Sequence, residues 1–198
     1  RSSRPAAARP APPAPGAPSE FLMALYTNNR ELATSLAKGA RLSLPELAAF
    51  GDLAAGSQRV TESAIELTEF SPDGWTALHL AAYFGCSSVV VRLLRAGADQ
   101  TLRSRNQQGN SPLHAAIAGR CEMSVMAALI AAGADCGAVD AQGYTPIHLA
   151  ADRGDQALIE LLLACGASRD VRTPNGKRPA DLAAAKGHTE LAEWLSRR

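Results

Sequence analysis

The sequence predicts an all-α repeat solenoid. Two observations carry that expectation: a phrase that returns at near-constant spacing, and a Gly-Ala pair that closes the helix region after each of its three full copies. Gly74-Trp75-Thr76-Ala77-Leu78-His79 comes back as Gly109-Asn110-Ser111-Pro112-Leu113-His114 and as Gly143-Tyr144-Thr145-Pro146-Ile147-His148. A worn copy follows at Gly176-Lys177-Arg178-Pro179-Ala180-Asp181. The glycines stand 35, 34 and 33 residues apart. A fixed period of this size marks stacked helical units, each able to bury its apolar face only against its neighbours.

The elements can be justified in order. Residues 1–19, RSSRPAAARPAPPAPGAPS, hold no aromatic, no branched aliphatic and no acid. Proline removes donors and fixes φ, so a disordered or extended tail is expected there. A start at Arg1 rather than Met reads as a truncated or processed chain; an Arg/Ser-rich, acid-poor start also suits the end of a transit peptide or a spacer after a signal sequence. Short helices are expected at Phe21–Tyr26, Glu31–Lys38 and Leu44–Phe50, with a fourth over about Leu53 to Ser63 weakened by Gly56. Gly51 precedes Gly85 by 34 residues, in phase with the period, so residues 20–70 read as degenerate repeats.

Regular repeats follow at 71–105, 106–140 and 141–172, and a capping repeat at 173–198, within one domain from 20 to 198. Each turn phrase leads into a helix of about eight residues, a Gly or Arg break, and a longer apolar helix stopped by Gly97-Ala98, Gly133-Ala134 or Gly166-Ala167. Thr76, Ser111 and Thr145 are placed to cap the first helix. Pro112, Pro146 and Pro179 take its first position, where a missing N–H is harmless. The pairs Ala81-Ala82, Ala115-Ala116 and Ala150-Ala151 allow close helix approach. The second repeat holds one extra residue between its histidine and its closing glycine, and a local bulge is expected at Gly119-Arg120.

Composition narrows the function. With 46% hydrophobic residues the chain can bury a core, and a formal charge of +1 argues against a general polyanion binder. No apolar run approaches the roughly 18 residues of a membrane span. Cys86, Cys121, Cys136 and Cys165 fit no CxxC or compact zinc pattern; Cys86 and Cys165 fall inside predicted helices. Reduced structural thiols are expected, with a redox-sensing role for Cys121 or Cys136 as the alternative. The compartment that suits this is cytoplasmic, with an exported or organellar location left open by the N-terminus.

The pattern G-x-T-P-L-H-x-A-A-x-x-G…VVxLLLxxGAD, present three times nearly in full and a fourth time with Asp181 in place of histidine, resembles the ankyrin repeat. The likeness is strong from residue 71 onward and weaker over the N-terminal third. Phe70-Ser71-Pro72-Asp73-Gly74-Trp75 with Leu80-Ala81-Ala82-Tyr83-Phe84-Gly85, and the turn-less Leu44–Asp52 stretch, look most like bacterial ankyrin proteins. The resemblance implies about five to six repeats and a histidine bonded to turn backbone.

Three regularly spaced histidines invite a metal reading, which distance removes. Packed helices lie about 8–10 Å apart, whereas zinc holds each ligand at about 2 Å, so one ion cannot bridge His79, His114 and His148. No GxSxG, HExxH or P-loop occurs, and neither an enzyme activity nor a cofactor is expected.

Surface recognition remains. In ankyrin proteins the turn tips and the ends of the short helices form a concave binding face. The corresponding positions are Asp73, Trp75, Tyr83 and Phe84; Gln108 and Asn110, with Arg103 and Arg105 as a basic edge; Tyr144, Asp152 and Arg153; and Lys177. Four of the nine aromatics fall on these positions, and Trp and Tyr are enriched among interface hot spots. The expected function is a non-enzymatic module, monomeric on its own, that binds another protein and neither nucleic acid nor membrane. The alternatives are a regulatory domain of a larger enzyme or channel and a specific inhibitor of immunity type.

Overall fold

A computed structural model describes residues 17–38, 42–51 and 66–197. Among them are eleven α-helices and one 3-10 turn, Glu66–Thr68; no strand occurs beyond an isolated bridge between Phe70 and Thr76. The N-terminal region supplies α1 (Glu20–Tyr26), α2 (Arg30–Ala37) and α3 (Leu44–Phe50). Four helix pairs follow. They are α4 (Ala77–Tyr83) with α5 (Ser87–Arg95), α6 (Pro112–Ala118) with α7 (Met123–Ala131), α8 (Pro146–Arg153) with α9 (Gln156–Ala164), and α10 (Pro179–Ala185) with α11 (Thr189–Ser196). The helix expected over Leu53–Ser63 lies outside the described residues.

Local chemistry sets the helix ends. Ser19, Asn29 and Ser43 cap α1, α2 and α3 through their side-chain oxygens. Pro112, Pro146 and Pro179 open α6, α8 and α10. Helices of seven to nine residues are too short to persist alone, so stacking must hold them. The first helices of each pair form one continuous row, α3 on α4, α4 on α6, α6 on α8 and α8 on α10, while α5 packs on α7 in the second row. The alanine pairs make the first row possible: Ala81, Ala82, Ala115, Ala116, Ala150 and Ala151 are all fully buried. In the 173–198 repeat Ala183 is buried against α8 and Ala184 is exposed.

The core is correspondingly periodic. Leu78, Leu113 and Ile147 recur on the first helices, and Leu93, Leu129 and Leu162 on the second; every one is buried. Burying each such side chain contributes about 1.5–3 kcal/mol. A second cluster surrounds the N-terminal helices, where Phe21, Leu22, Leu25 and Leu47 close over Trp75 and Leu80.

Two helix boundaries differ from the sequence expectation. Cys86 precedes α5 as its N-cap residue, and Cys165 follows α9 as its C-cap residue, so neither thiol lies within a helix. The irregularity of the second repeat is also displaced. Counting from the repeat histidine, Arg120 takes the place held by Gly85, Gly154 and Gly187, and it adopts the same left-handed conformation at φ 56°. The extra residue sits just after it, where Cys121 and Glu122 both precede α7. Gly119 has an ordinary helical φ of −70°; glycine is required there because an added Cβ would overlap the Tyr83 carbonyl.

Candidate partner-binding face

Each turn phrase is fastened to the next by its histidine. His79 Nε2 lies 2.9 Å from the Asn110 carbonyl, His114 Nε2 lies 3.2 Å from that of Tyr144, and His148 Nε2 lies 3.3 Å from that of Lys177. A carbonyl only accepts, so Nε2 carries the proton and Nδ1 is the acceptor. Nδ1 faces the Thr76, Ser111 and Thr145 hydroxyls at 2.7, 2.8 and 2.9 Å. The same atom accepts from the backbone N–H of the capping residue, most closely at Thr145, 3.2 Å. Histidine thus fills the place of Glu or Gln in a capping box and uses its second nitrogen to reach the following repeat. In the last repeat Asp181 accepts from the Arg178 backbone N–H at 2.8 Å. It keeps the cap and lacks the second arm, because a carboxylate has no N–H to donate onward.

These rings are fully buried. Burial pushes the His79 pKa down to about 4 and lowers those of His114 and His148. Both ring nitrogens of each are engaged within the protein. Among the described residues no three His, Cys, Asp or Glu side chains gather as a metal site.

The turn tips are zipped by backbone as well. The Arg105 N–H donates to the Gly74 carbonyl at 2.8 Å and the Ala141 N–H to that of Gln108 at 2.9 Å. Gly74 combines a φ of 84° with Asn106 backbone nitrogen 2.7 Å from where a Cβ would stand, so a side chain is excluded twice over.

On this frame the expected face divides into buried and accessible parts. Trp75 is only 8% exposed, edge-on to His79 at 5.4 Å and covered by the N-terminal cluster. Asp73 is likewise buried, accepting from the Tyr26 hydroxyl at 2.9 Å and from Ser71 at 2.6 Å. Neither is offered to a partner. Helix α1 covers the first regular turn, and these two side chains anchor it there. Asn110 is buried too, its N–H bound to Ser104 and its carbonyl to His79. Nothing in the turn phrase alone distinguishes a covered first copy from an open one; the signal was the apolar Phe21–Tyr26 helix, which needs a surface to cover.

The other positions reach the surface to different degrees. Tyr83 and Phe84 are half-buried and form a cluster with Tyr26, a residue the repeat pattern does not mark; Tyr26 lies 5.7 and 5.3 Å from the two rings. Tyr144 is half-buried against His148, 5.9 Å away, and Gln108 and Lys177 are exposed. Arg105 is exposed with its guanidinium 4.0 Å from the Phe70 ring centre. Arg103 donates to the Gly109 carbonyl at 3.1 Å and to the Val139 carbonyl, fastening two loops. Arg153 donates to the Ile117 carbonyl at 2.5 Å, at the end of α6, and pairs with Asp155 at 3.8 Å. Asp152 pairs with Lys186 of the next repeat at 3.5 Å.

Known proteins agree with this architecture. The family described as Ankyrin repeats (3 copies) matches residues 21–125 and 118–198. The chain is an ankyrin repeat protein. Over 87 residues it is 36% identical to "Neurogenic locus notch homolog protein 1" of Mus musculus and 34% identical to that of Homo sapiens. Each match covers 44% of this chain and 3% of the relative, so this ankyrin chain matches a small part of much longer proteins. Both are mammalian and do not bear on the expected bacterial likeness. The ankyrin fold is generally a protein–protein interaction module and typically non-catalytic. Among the described residues no helix is long and apolar enough to cross a membrane.

Proposed function

We propose that this ankyrin stack binds a partner protein through the open part of the turn-tip face: the Tyr83–Phe84 cluster at one end, then Arg105 and Gln108, then Tyr144 and Lys177. The observation that carries the reading is the histidine relay. It grips Tyr144 and Lys177 by their backbone carbonyls, so their side chains can vary without loosening the stack. A rigid scaffold also loses little conformational freedom on binding.

The test is comparative affinity capture. Tyr144→Ala with Lys177→Glu alters the tip face, and Glu160→Lys, an exposed change on α9, serves as the control. A protein captured by the wild type and the control but lost by the tip variant, with unchanged circular dichroism, supports the face. Equal capture by all three removes it. A second reading is an ankyrin segment within a larger polypeptide whose activity it regulates, favoured by the small fraction of each relative that the match covers. Partner capture dependent on sequence outside residues 20–198 separates the two.

A further inference from the structure

The second helices of the stack are tied by a contact that recurs at fixed register. The residue three positions after each closing glycine reaches the C-cap residue of the next repeat's second helix. Gln100 Nε2 donates to the Ala132 carbonyl at 2.8 Å, and an Arg169 guanidinium nitrogen donates to the Arg197 carbonyl at 2.8 Å. Ala132 and Arg197 are the C-caps of α7 and α11. Between these two contacts, the same register places Cys136 beside Cys165, the C-cap of α9, near enough for Cys165 to oppose the ionisation of the Cys136 thiol. Cys136 is buried while Cys165 is exposed. Cys136 Sγ also faces the carbonyl of Ala134 within its own loop at 3.8 Å, whereas Cys86 Sγ points at the Ala49 carbonyl at 3.8 Å and Cys121 Sγ at that of Ala82 at 2.7 Å, each reaching back to the preceding first helix.

We propose that Cys136 and Cys165 form a thiol–disulfide exchange site that closes into a covalent clasp between the 106–140 and 141–172 repeats when a low-molecular-weight disulfide is the oxidant. The order of events follows from access. The exposed Cys165 thiolate attacks one sulfur of the oxidant, forming a mixed disulfide and expelling one thiolate. Cys136 then loses its proton and attacks Cys165 Sγ, and the second thiolate leaves. Two protein thiols are oxidised by two electrons, one disulfide is reduced to two thiols, and the protons lost by the cysteines are taken up by the leaving thiolates. Burial, and then the neighbouring Cys165, pushes the Cys136 thiol up to about 11, which makes its attack the slow step. The clasp ties neighbours in a structure whose repeats are otherwise held only by nearest-neighbour contacts. This inference is independent of the proposed binding face.

The experiment is oxidation of the reduced full chain with glutathione disulfide, followed by intact mass and non-reducing peptide mapping. Cleavage before Asp135 is included, which separates Cys121 from Cys136. The expected product has lost two hydrogens and joins the Cys136 peptide to the Cys165 peptide. Its thermal midpoint is higher than that of the reduced protein. Cys165→Ser prevents the product. Cys136→Ala, at a position that Gln100 and Arg169 show to tolerate varied side chains, stops at a glutathione adduct on Cys165. A wild-type chain that also stops at that adduct, that pairs Cys136 with Cys86 or Cys121, or that resists oxidation overturns the proposal.

Discussion

His79 donates its Nε2–H to the carbonyl of Asn110, 31 residues further along and one repeat away. This bond is made to backbone, so it specifies the position of the next turn without specifying its residue. Burial is what keeps the ring neutral, and its Nδ1 then accepts from the hydroxyl and N–H of Thr76, which a protonated Nδ1 could no longer do.

The stack should therefore lose stability in mild acid. In the unfolded chain histidine takes up a proton near 6.5; in the folded chain His79 does so only near 4, and His114 and His148 are lowered in the same direction by burial. Below 6.5 the unfolded state binds more protons, so the contribution is complete above that value and falls as pH drops toward the folded pKa. For His79 alone it is on the order of 3 kcal/mol. Urea midpoints should drop steadily between pH 7 and pH 4.5, and His79→Gln should reduce the proton uptake on unfolding by about one. A flat profile across that range would contradict the neutral buried rings.

Neighbouring residues in the second repeat should respond in opposite directions to small changes. Gly119→Ala pushes a methyl into the Tyr83 carbonyl and forces α4 and α6 apart. It should destabilise by about 1–3 kcal/mol, the range for overpacked sites. Arg120→Gly relieves a left-handed conformation at φ 56° that L side chains adopt at a penalty of about 1–2 kcal/mol; part of the gain is offset by glycine's flexibility when unfolded. The expected net effect is small and stabilising. Urea denaturation of the two single variants reads both signs.

Trp75→Ala should act on folding. The indole is buried under Phe21, Leu22 and Leu25, and truncating a buried aromatic typically removes about 3–5 kcal/mol. Hydrogen exchange should show α1 and α4 losing protection first, with α8 to α11 least affected. Unchanged protection in α1 would mean that the helix does not depend on this ring.

The period, the caps and the helix order were legible because each rests on local chemistry: glycine at positive φ, a hydroxyl at the cap, proline at the first turn. What depended on tertiary contact was not. The phrase Gly74–His79 reads like its sisters, yet α1 covers it and converts Asp73 and Trp75 from surface to anchor. Gly119 read as part of a bulge, whereas its glycine answers to the Tyr83 carbonyl on another helix. Cys136 and Cys165 are 29 residues apart, and only the register of Gln100 and Arg169 relates them.

Arg103 and Arg105 looked alike as a basic edge, and their geometry predicts different tolerance to lysine. Arg103 spans the Gly109 and Val139 carbonyls with one guanidinium. A lysine ammonium is a point charge on a flexible stem and does not reproduce that planar reach, so Arg103→Lys should lose about 1 kcal/mol, the net worth of a typical intramolecular hydrogen bond. Arg105 lies over the Phe70 ring at 4.0 Å, a contact that an ammonium also makes. Arg105→Lys should therefore leave stability nearly unchanged. Parallel urea titrations of the two variants decide the matter: equal midpoints would show that the Arg103 bridge to the second regular repeat contributes nothing, and a lower midpoint for Arg103→Lys alone identifies it as a tie between turns.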